Sequence, residues 1–216
     1  MKRMVQATHA ISGLYAITPD CADTAQLLRL AEDALSGGAD VLQYRNKRAD
    51  KLLRLNQAER LLELTRQFSV PLIINDDIDL ALQINAEGVH LGATDAKLSH
   101  ARDALGRQKI IGISCYNSMS RAREAVSAGA DYLAFGSFYS SRIKPDAVTA
   151  SVDLLRAARA EFDIALVAIG GITLQNAAPL IRAGADAVAV ISALFDVADI
   201  KSTARIFSEL FNQSTT

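Results

Sequence analysis

Tryptophan is absent from this 216-residue chain, cysteine occurs twice and proline four times. Half of the residues are nevertheless hydrophobic, so the core is left to alanine, valine, isoleucine and leucine, as in many α/β enzymes. Cys21 and Cys115 form no CxxC pair, which argues against a structural disulfide and fits a reducing cytoplasm. Charge of one sign is lacking too: 23 basic and 24 acidic residues leave a net charge of -1. That balance points neither to nucleic acid nor to a membrane surface, whose binders carry a basic patch or stripe. No apolar run approaches the roughly 20 residues of a membrane span. The opening MKRMVQATHAISGLYAI has basic residues but no long uninterrupted apolar stretch, so it does not read as a signal peptide. Linkers and low-complexity segments are missing, and the length suits one domain over residues 1–216.

What is present is a recurring local pattern. SGGADVLQY (36–44), NAEGVHLG (85–92), SAGADYLAFG (127–136) and RAGADAVAV (182–190) share one form. A helix ends, glycine or a small residue turns the chain, an acid or polar residue follows, and a β-branched run begins. Glycine after a helix is a stop signal, and strands separated by helical patterns imply a parallel sheet. Strands are expected at 13–18, 40–45, 71–75, 88–92, 109–114, 132–137, 165–171 and 187–192. Helical stretches lie between them, clearest in DKLLRLNQAERLLELTRQF with its leucines at i, i+3, i+4 and i+7 spacing. Eight βα units in about 200 residues predict a (β/α)8 TIM barrel. A doubly wound open sheet is the alternative, and its GxGxxG fingerprint after the first strand is missing. The longest loop candidate, SFYSSRIKPDAVTAS (137–151), follows the sixth strand, where a long loop is often functional.

In such a barrel the active site lies at the C-terminal ends of the strands. The second strand ends in VLQYRNK, where Gln43, Arg45 and Lys47 alternate and so share a face. The third gives Asn75, Asp76 and Asp77, and Asp95 follows the fourth. Ser114 ends the fifth, and the loop after the sixth holds Ser140, Ser141, Arg142 and Lys144. Gly170-Gly171-Ile172-Thr173 ends the seventh, and Ile191-Ser192 the eighth. The opposite strand ends read mostly as glycine, alanine and proline. Arg45, Lys47 and Lys144 can grip phosphate, arginine bidentately and lysine as a point charge. Asp76 and Asp95 together with phosphate oxygens suit Mg²⁺, which takes few protein ligands. The Gly-Gly turn and the end of the eighth strand suit a backbone phosphate site. Two phosphorylated substrates, or one with phosphates at both ends, would use these zones.

Each signal also has a plainer meaning. Asp77 reads as a helix cap, and Asp76 and Asp95 could be caps as well. GGIT could be a tight turn with Thr173 as the cap of the next helix. No His–Asp pair activates Ser114; His90 reads as an interior hydrogen-bonded histidine, His9 and His100 as surface residues, and Cys115 as packing. The joint occurrence of cations, carboxylates and glycine turn on one rim favours the functional meaning.

The series LQYRNK, LIINDDIDLAL, GVHLGATD, IIGIS, SFYSSRIKPDA, VAIGGIT and AVAVIS resembles the thiamin phosphate synthase family over nearly the whole chain. The resemblance implies a Mg²⁺-dependent transferase that joins a hydroxymethylpyrimidine diphosphate to a thiazole phosphate and releases pyrophosphate. It implies that Gln43, Arg45, Lys47, Asn75 and Lys144 hold the pyrimidine diphosphate and that Asp76 and Asp95 bind the metal. Ser114 would stand at the reacting centre beside the pyrimidine, with Arg45 and Lys144 as its catalytic companions. Ser141, Gly170 and Gly171 with the backbone of Ile191 and Ser192 would take the thiazole phosphate. The family's Thr-x-Thr-Lys stands here as Ser141-Arg142-Ile143-Lys144, and Ala93 replaces a common glutamine. Asn75 and Asp76 are adjacent, so both can face the site only if the strand ends at about Asn75 and the chain turns.

The related thiazole tautomerases carry a histidine just after the fifth-strand serine; Cys115 and Tyr116 stand there instead. An epimerase-like barrel would need paired acids or a metal-binding histidine set. A non-catalytic phosphate-binding barrel would have little reason to keep paired charges on the rim. The expected partners are small phosphorylated molecules, with no nucleic acid and no membrane; the sequence leaves a homo-oligomer open.

Overall fold

Each of the eight apolar runs becomes a strand. The computed structural model describes residues 11–92, 98–140 and 149–212. The strands are β1 (Gly13–Ile17), β2 (Ala39–Tyr44), β3 (Leu72–Asn75), β4 (Gly88–Leu91), β5 (Ile110–Tyr116), β6 (Tyr132–Phe135), β7 (Ala165–Ile169) and β8 (Ala187–Val190). Every strand runs parallel to its neighbour in chain order, and β8 pairs with β1 from Gly13↔Ala187 to Ala16↔Val190, closing the ring. The TIM-barrel expectation is met and the open sheet is set aside. Four strands end two residues from the expected position, β6 stopping at Phe135 and β7 at Ile169. β5 runs on to Tyr116 through a register shift after Ser114. The eighth run stops at Val190, because Ser192 already opens a short helix.

The period of two sorts side chains to the two faces. Tyr15, Ile17, Val41, Ile73, Tyr132 and Val167 fill the barrel interior. Leu14, Leu42, Leu72, Ile74, Leu133 and Val188 face outward against the helices. The helices are α1 (Thr24–Ser36), α2 (Lys51–Gln67), α3 (Ile78–Ile84), α4 (Leu98–Leu105), α5 (Met119–Ser127), α6 (Val152–Glu161), α7 (Ala177–Arg182), α8 (Ser192–Phe195) and α9 (Ile200–Asn212). Asp23, Asp50, Asp77, Ser118 and Ser151 cap five of them by accepting backbone N–H groups of the first turn. Thr173 does not cap α7: its N–H donates to Asn176 Oδ1, and the helix starts four residues on. In α2 the buried stripe is Gln57, Ala58, Leu61, Leu62 and Thr65, while Leu52 is 79% exposed. The leucine spacing identified the helix but overstated its inward face.

The recurring acid has a use at the lower, N-terminal rim. Asp40 Oδ2 accepts Leu14 N–H at 2.9 Å, and Glu87 Oε2 accepts Leu72 N–H at 3.0 Å. Asp131 Oδ2 accepts Ile111 N–H at 2.7 Å, and Asp186 Oδ2 accepts Leu166 N–H at 2.7 Å. Each acid at the start of an even strand thus satisfies a backbone donor at the start of the odd strand before it. This rim is therefore not only glycine, alanine and proline. Arg102 ties Asp131 to the carbonyls of Gly106, Lys109 and Gly129, and Arg159 bridges Asp186 to Phe162 and Ile164.

Candidate active site

The opposite rim begins with VLQYRNK. Gln43, Arg45 and Lys47 face one cavity of about 680 Å³ at the C-terminal ends of the strands. The alternate residues face away and hold the segment in place. Tyr44 Oη donates to Gln57 Oε1 at 2.9 Å, Asn46 Nδ2 donates to the same oxygen at 3.0 Å, and Gln57 Nε2 donates to Cys21 O at 3.0 Å. Asn46 Oδ1 accepts the N–H groups of Arg48 and Ala49, which turns the chain into α2. The backbone of Arg45 exchanges two hydrogen bonds with Thr18 Oγ1, and Asp20 Oδ1 takes Lys47 N–H at 2.8 Å and the Arg45 guanidinium at 3.4 Å.

β3 ends at Asn75, and Asp76 adopts the left-handed backbone with φ 65°. That turn brings two adjacent residues to one side, as the sequence required. Asn75 Nδ2 donates to Asp76 Oδ2 at 2.6 Å, and Asp76 N–H donates to His90 O at 2.9 Å. Asp77 is the cap of α3, accepting Leu80 N–H at 2.9 Å. Asn75 and Asp76 line the main cavity with Arg45 and Lys47, and the same four also line a cavity of about 400 Å³ beside it.

The cavity floor is a chain of hydrogen bonds: Gln43 Nε2 to Tyr15 Oη at 2.8 Å, Tyr15 Oη to Tyr132 Oη at 2.8 Å, Tyr132 Oη to His90 Nδ1 at 2.9 Å, and His90 Nε2 to Ser114 Oγ at 2.8 Å. Burial raises the pKa of both tyrosines above the ordinary phenol range, so both hydroxyls keep their protons. His90 is the interior hydrogen-bonded histidine the sequence suggested. Cys115 is buried, its thiol pushed up to about 12 by burial, so it is packing and no nucleophile.

The remaining wall comes from β7 and β8. Gly170 and Gly171 have φ of 102° and 64°. A Cβ on Gly170 would sit 2.1 Å from Ser137 Oγ, and one on Gly171 2.6 Å from Ser140 O. Glycine is needed there for both backbone conformation and close approach of the loop after β6. Gly170, Gly171, Ile191, Ser192 and Ser114 line the cavity together with the β2 and β3 groups. Asp95, Ser141, Arg142, Ile143, Lys144 and Ala93 lie outside the described residues.

The family model of thiamine monophosphate synthase matches residues 14–194. The chain belongs to the thiamine monophosphate synthase family. It is 56% identical to the thiamine-phosphate synthase of Methylobacillus flagellatus, covering 94% of this chain and 96% of that protein. It is 55% identical to that of Nitrosospira multiformis, covering 95% and 88%. Thiamine phosphate pyrophosphorylase from Pyrococcus furiosus superposes with a TM-score of 0.86 at 31% identity, covering 96% of this chain and 99% of that one. Members of the thiamine monophosphate synthase family are transferases, and this chain is an enzyme of that class. Tyr15, Tyr132 and Gln57 were missed in the sequence. Tyr15 and Tyr132 sit in apolar runs that read as core, and Gln57 sits in a helix whose leucines drew attention; the period of two was the one signal that could have paired Tyr15 with Gln43's face.

Proposed function

We propose that this chain condenses 4-amino-2-methyl-5-hydroxymethylpyrimidine diphosphate with a thiazole phosphate, giving thiamin phosphate and pyrophosphate. The observation that carries this reading is the convergence of Gln43, Arg45, Lys47, Asn75, Asp76 and Ser114 on one cavity with the Gly170–Gly171 turn. Arg45 and Lys47, with Lys144, are assigned to the diphosphate, whose charge they neutralise as it departs. Gln43, Asn75 and Ser114 orient the pyrimidine end. Gly170 and Gly171, with Ser141, Ile191 and Ser192, are assigned to the thiazole phosphate.

A Mg²⁺ ion fits this rim. Mg²⁺ keeps several waters and needs only one or two carboxylates beside substrate phosphates, and Asp76 lines the same cavity as Arg45 and Lys47. No group of three or more histidine, cysteine or acidic residues placed to hold a metal occurs among the described residues, and none is needed. Asp76 and Asp95 would hold the ion, which when bound neutralises leaving-group charge. The C–O bond from the pyrimidine methylene to the diphosphate breaks first, its electron pair leaving on pyrophosphate. The thiazole nitrogen then donates its lone pair to the methylene carbon. Neither step needs a nucleophilic serine or a general base.

The reading treats residues 1–216 as one domain at work in the cytoplasm, in keeping with the free thiols of Cys21 and Cys115. Among the described residues no helix is long and apolar enough to cross a membrane. Purified protein mixed with the pyrimidine diphosphate and Mg²⁺ is expected to yield thiamin phosphate and pyrophosphate when thiazole phosphate is added, and EDTA is expected to abolish this. No pyrophosphate release, with thiazole phosphate still bound, would overturn the reading in favour of a tautomerase or a non-catalytic barrel.

A further inference from the structure

We propose that Gln43, Tyr15, Tyr132 and His90 form a one-way hydrogen-bond relay that fixes the His90 proton on Nε2 and makes Ser114 a donor toward the bound heterocycle. The relay rests on four contacts and a count of protons. An amide nitrogen only donates. With the Gln43 amide oriented Nε2 toward Tyr15 Oη, at 2.8 Å, that hydroxyl accepts from Gln43. The single proton of Tyr15 needs its own acceptor, and the other hydrogen-bond partner of Tyr15 among the described residues is Tyr132 Oη at 2.8 Å. Tyr132 therefore accepts from Tyr15 and passes its own proton to His90 Nδ1 at 2.9 Å. A ring nitrogen that accepts carries no proton, so the neutral imidazole bears its proton on Nε2, 2.8 Å from Ser114 Oγ. Ser114 accepts there, and its hydroxyl proton points on into the cavity that it lines.

The opposite polarity fails at Tyr15. If Ser114 donated to Nε2, His90 would donate from Nδ1 to Tyr132, and Tyr132 to Tyr15. Tyr15 Oη would then receive two protons, and its own would have no acceptor among the described residues, on a residue only 1% exposed. A buried donor left unmade loses its full hydration. A doubly protonated His90 meets the same obstacle, because its Nδ1–H also forces Tyr132 to donate to Tyr15. The space for this arrangement comes from Gly112, where a Cβ would lie 1.8 Å from Tyr132 Cζ. Tyr15, Tyr132 and His90 are thus positioning residues, acting on the substrate through Gln43 at one end and Ser114 at the other. The role of Ser114 as donor rests on the proposed pyrimidine site; the tautomer of His90 does not.

The test has two parts. The full chain, labelled with ¹⁵N-histidine, reports which ring nitrogen of His90 is protonated, with His90→Gln identifying the signal. The proton is expected on Nε2; a proton on Nδ1, or on both nitrogens, overturns the relay. In Gln43→Glu the donor at the head of the relay becomes an acceptor for Tyr15 Oη, the polarity reverses, and a proton is expected on His90 Nδ1. An unchanged Nε2–H ring in that variant would show that Gln43 does not set it. The second part measures binding of the pyrimidine diphosphate and of two pyridine analogues, each lacking one ring nitrogen. At least one analogue is expected to bind the parent protein about tenfold more weakly, as the loss of one hydrogen bond implies, and Ser114→Ala is expected to erase that difference. Equal binding of all three by the parent overturns the donor role. Failure to bind the pyrimidine diphosphate at all would instead remove the proposed function, while the ¹⁵N measurement still decides the relay.

Discussion

The two rims of the barrel solve the same problem, ending eight strands, in opposite ways. At the lower rim one device is used four times: Asp40, Glu87, Asp131 and Asp186 each accept an N–H at the start of the preceding odd strand. At the upper rim no device repeats among the described residues. Asp76 takes a left-handed backbone, Gly170 and Gly171 admit a neighbouring loop, and Arg45 and Lys47 leave β2 in step with Gln43. Regularity marks the end that holds the ring together, and irregularity marks the end that carries chemistry. A residue's rim therefore forecasts whether its loss is read in melting or in turnover.

Asp76→Asn should separate the two most sharply. Asparagine tolerates the left-handed backbone, so the melting temperature should stay unchanged, while turnover should fall by about 10²–10³-fold and the Mg²⁺ requirement should rise. Steady-state rates across a Mg²⁺ titration beside a thermal melt check both; parental turnover would dissolve the distinction between the rims. Asp131→Ala is the mirror case. It strands Ile111 N–H and unpairs Arg102 from its carboxylate. A cost of about 1–3 kcal/mol is expected for the unsatisfied donor, or about 2–4 °C of melting temperature per kcal/mol for a chain of this size. Turnover per folded molecule should be untouched.

Gln57→Leu tests whether the upper rim has its own structural supports. It removes the acceptor of Tyr44 Oη and one of the two partners of both Asn46 Nδ2 and Cys21 O, which still meet each other at 2.7 Å, so both melting temperature and substrate KM should worsen. A change in one alone would place Gln57 wholly with one rim. The smallest effect is expected at Asp40. Its residue surface stays open to solvent, but Oδ2 is tucked against Leu14 N–H, and desolvation outweighs that hydrogen bond and raises its carboxyl pKa. The folded state then binds this proton more tightly than the unfolded chain. Its contribution to stability is full at pH below the ordinary aspartate range and is lost as pH rises through the raised value. Asp40→Asn, which keeps an oxygen for Leu14 N–H, should flatten that slope in melts run from acid to neutral pH. An unaltered slope would mean that the Asp40 proton plays no part.

Much of this molecule is legible from its chain because its strongest signals are local. Four glycine–acid repeats announced strands, and the alternation of Gln43, Arg45 and Lys47 predicted a shared face that the cavity bears out. The adjacency of Asn75 and Asp76 foretold a turn, found as a positive φ at Asp76. What stayed hidden depends on contacts distant in sequence. Tyr15 meets Tyr132 across 117 positions, and neither differs in its surroundings from any aromatic in an apolar run. Gln57 was invisible because only the fold shows that a polar residue at that point of α2 faces the end of β2. The acid in each repeat was seen, but its acceptor role needed the neighbouring strand to be in place.

The clamps also divide the ring into quarters. Each joins β1 to β2, β3 to β4, β5 to β6, or β7 to β8, and none spans the seams between these pairs. The barrel is in that sense four stapled βαβ modules laid edge to edge. A circular permutant opened in the exposed turn at residues 106–108 would cut at a seam and leave every staple whole. One opened at residues 129–131 would sever the third module from its own acid, and should assemble less readily although the two cuts lie so near each other in the chain.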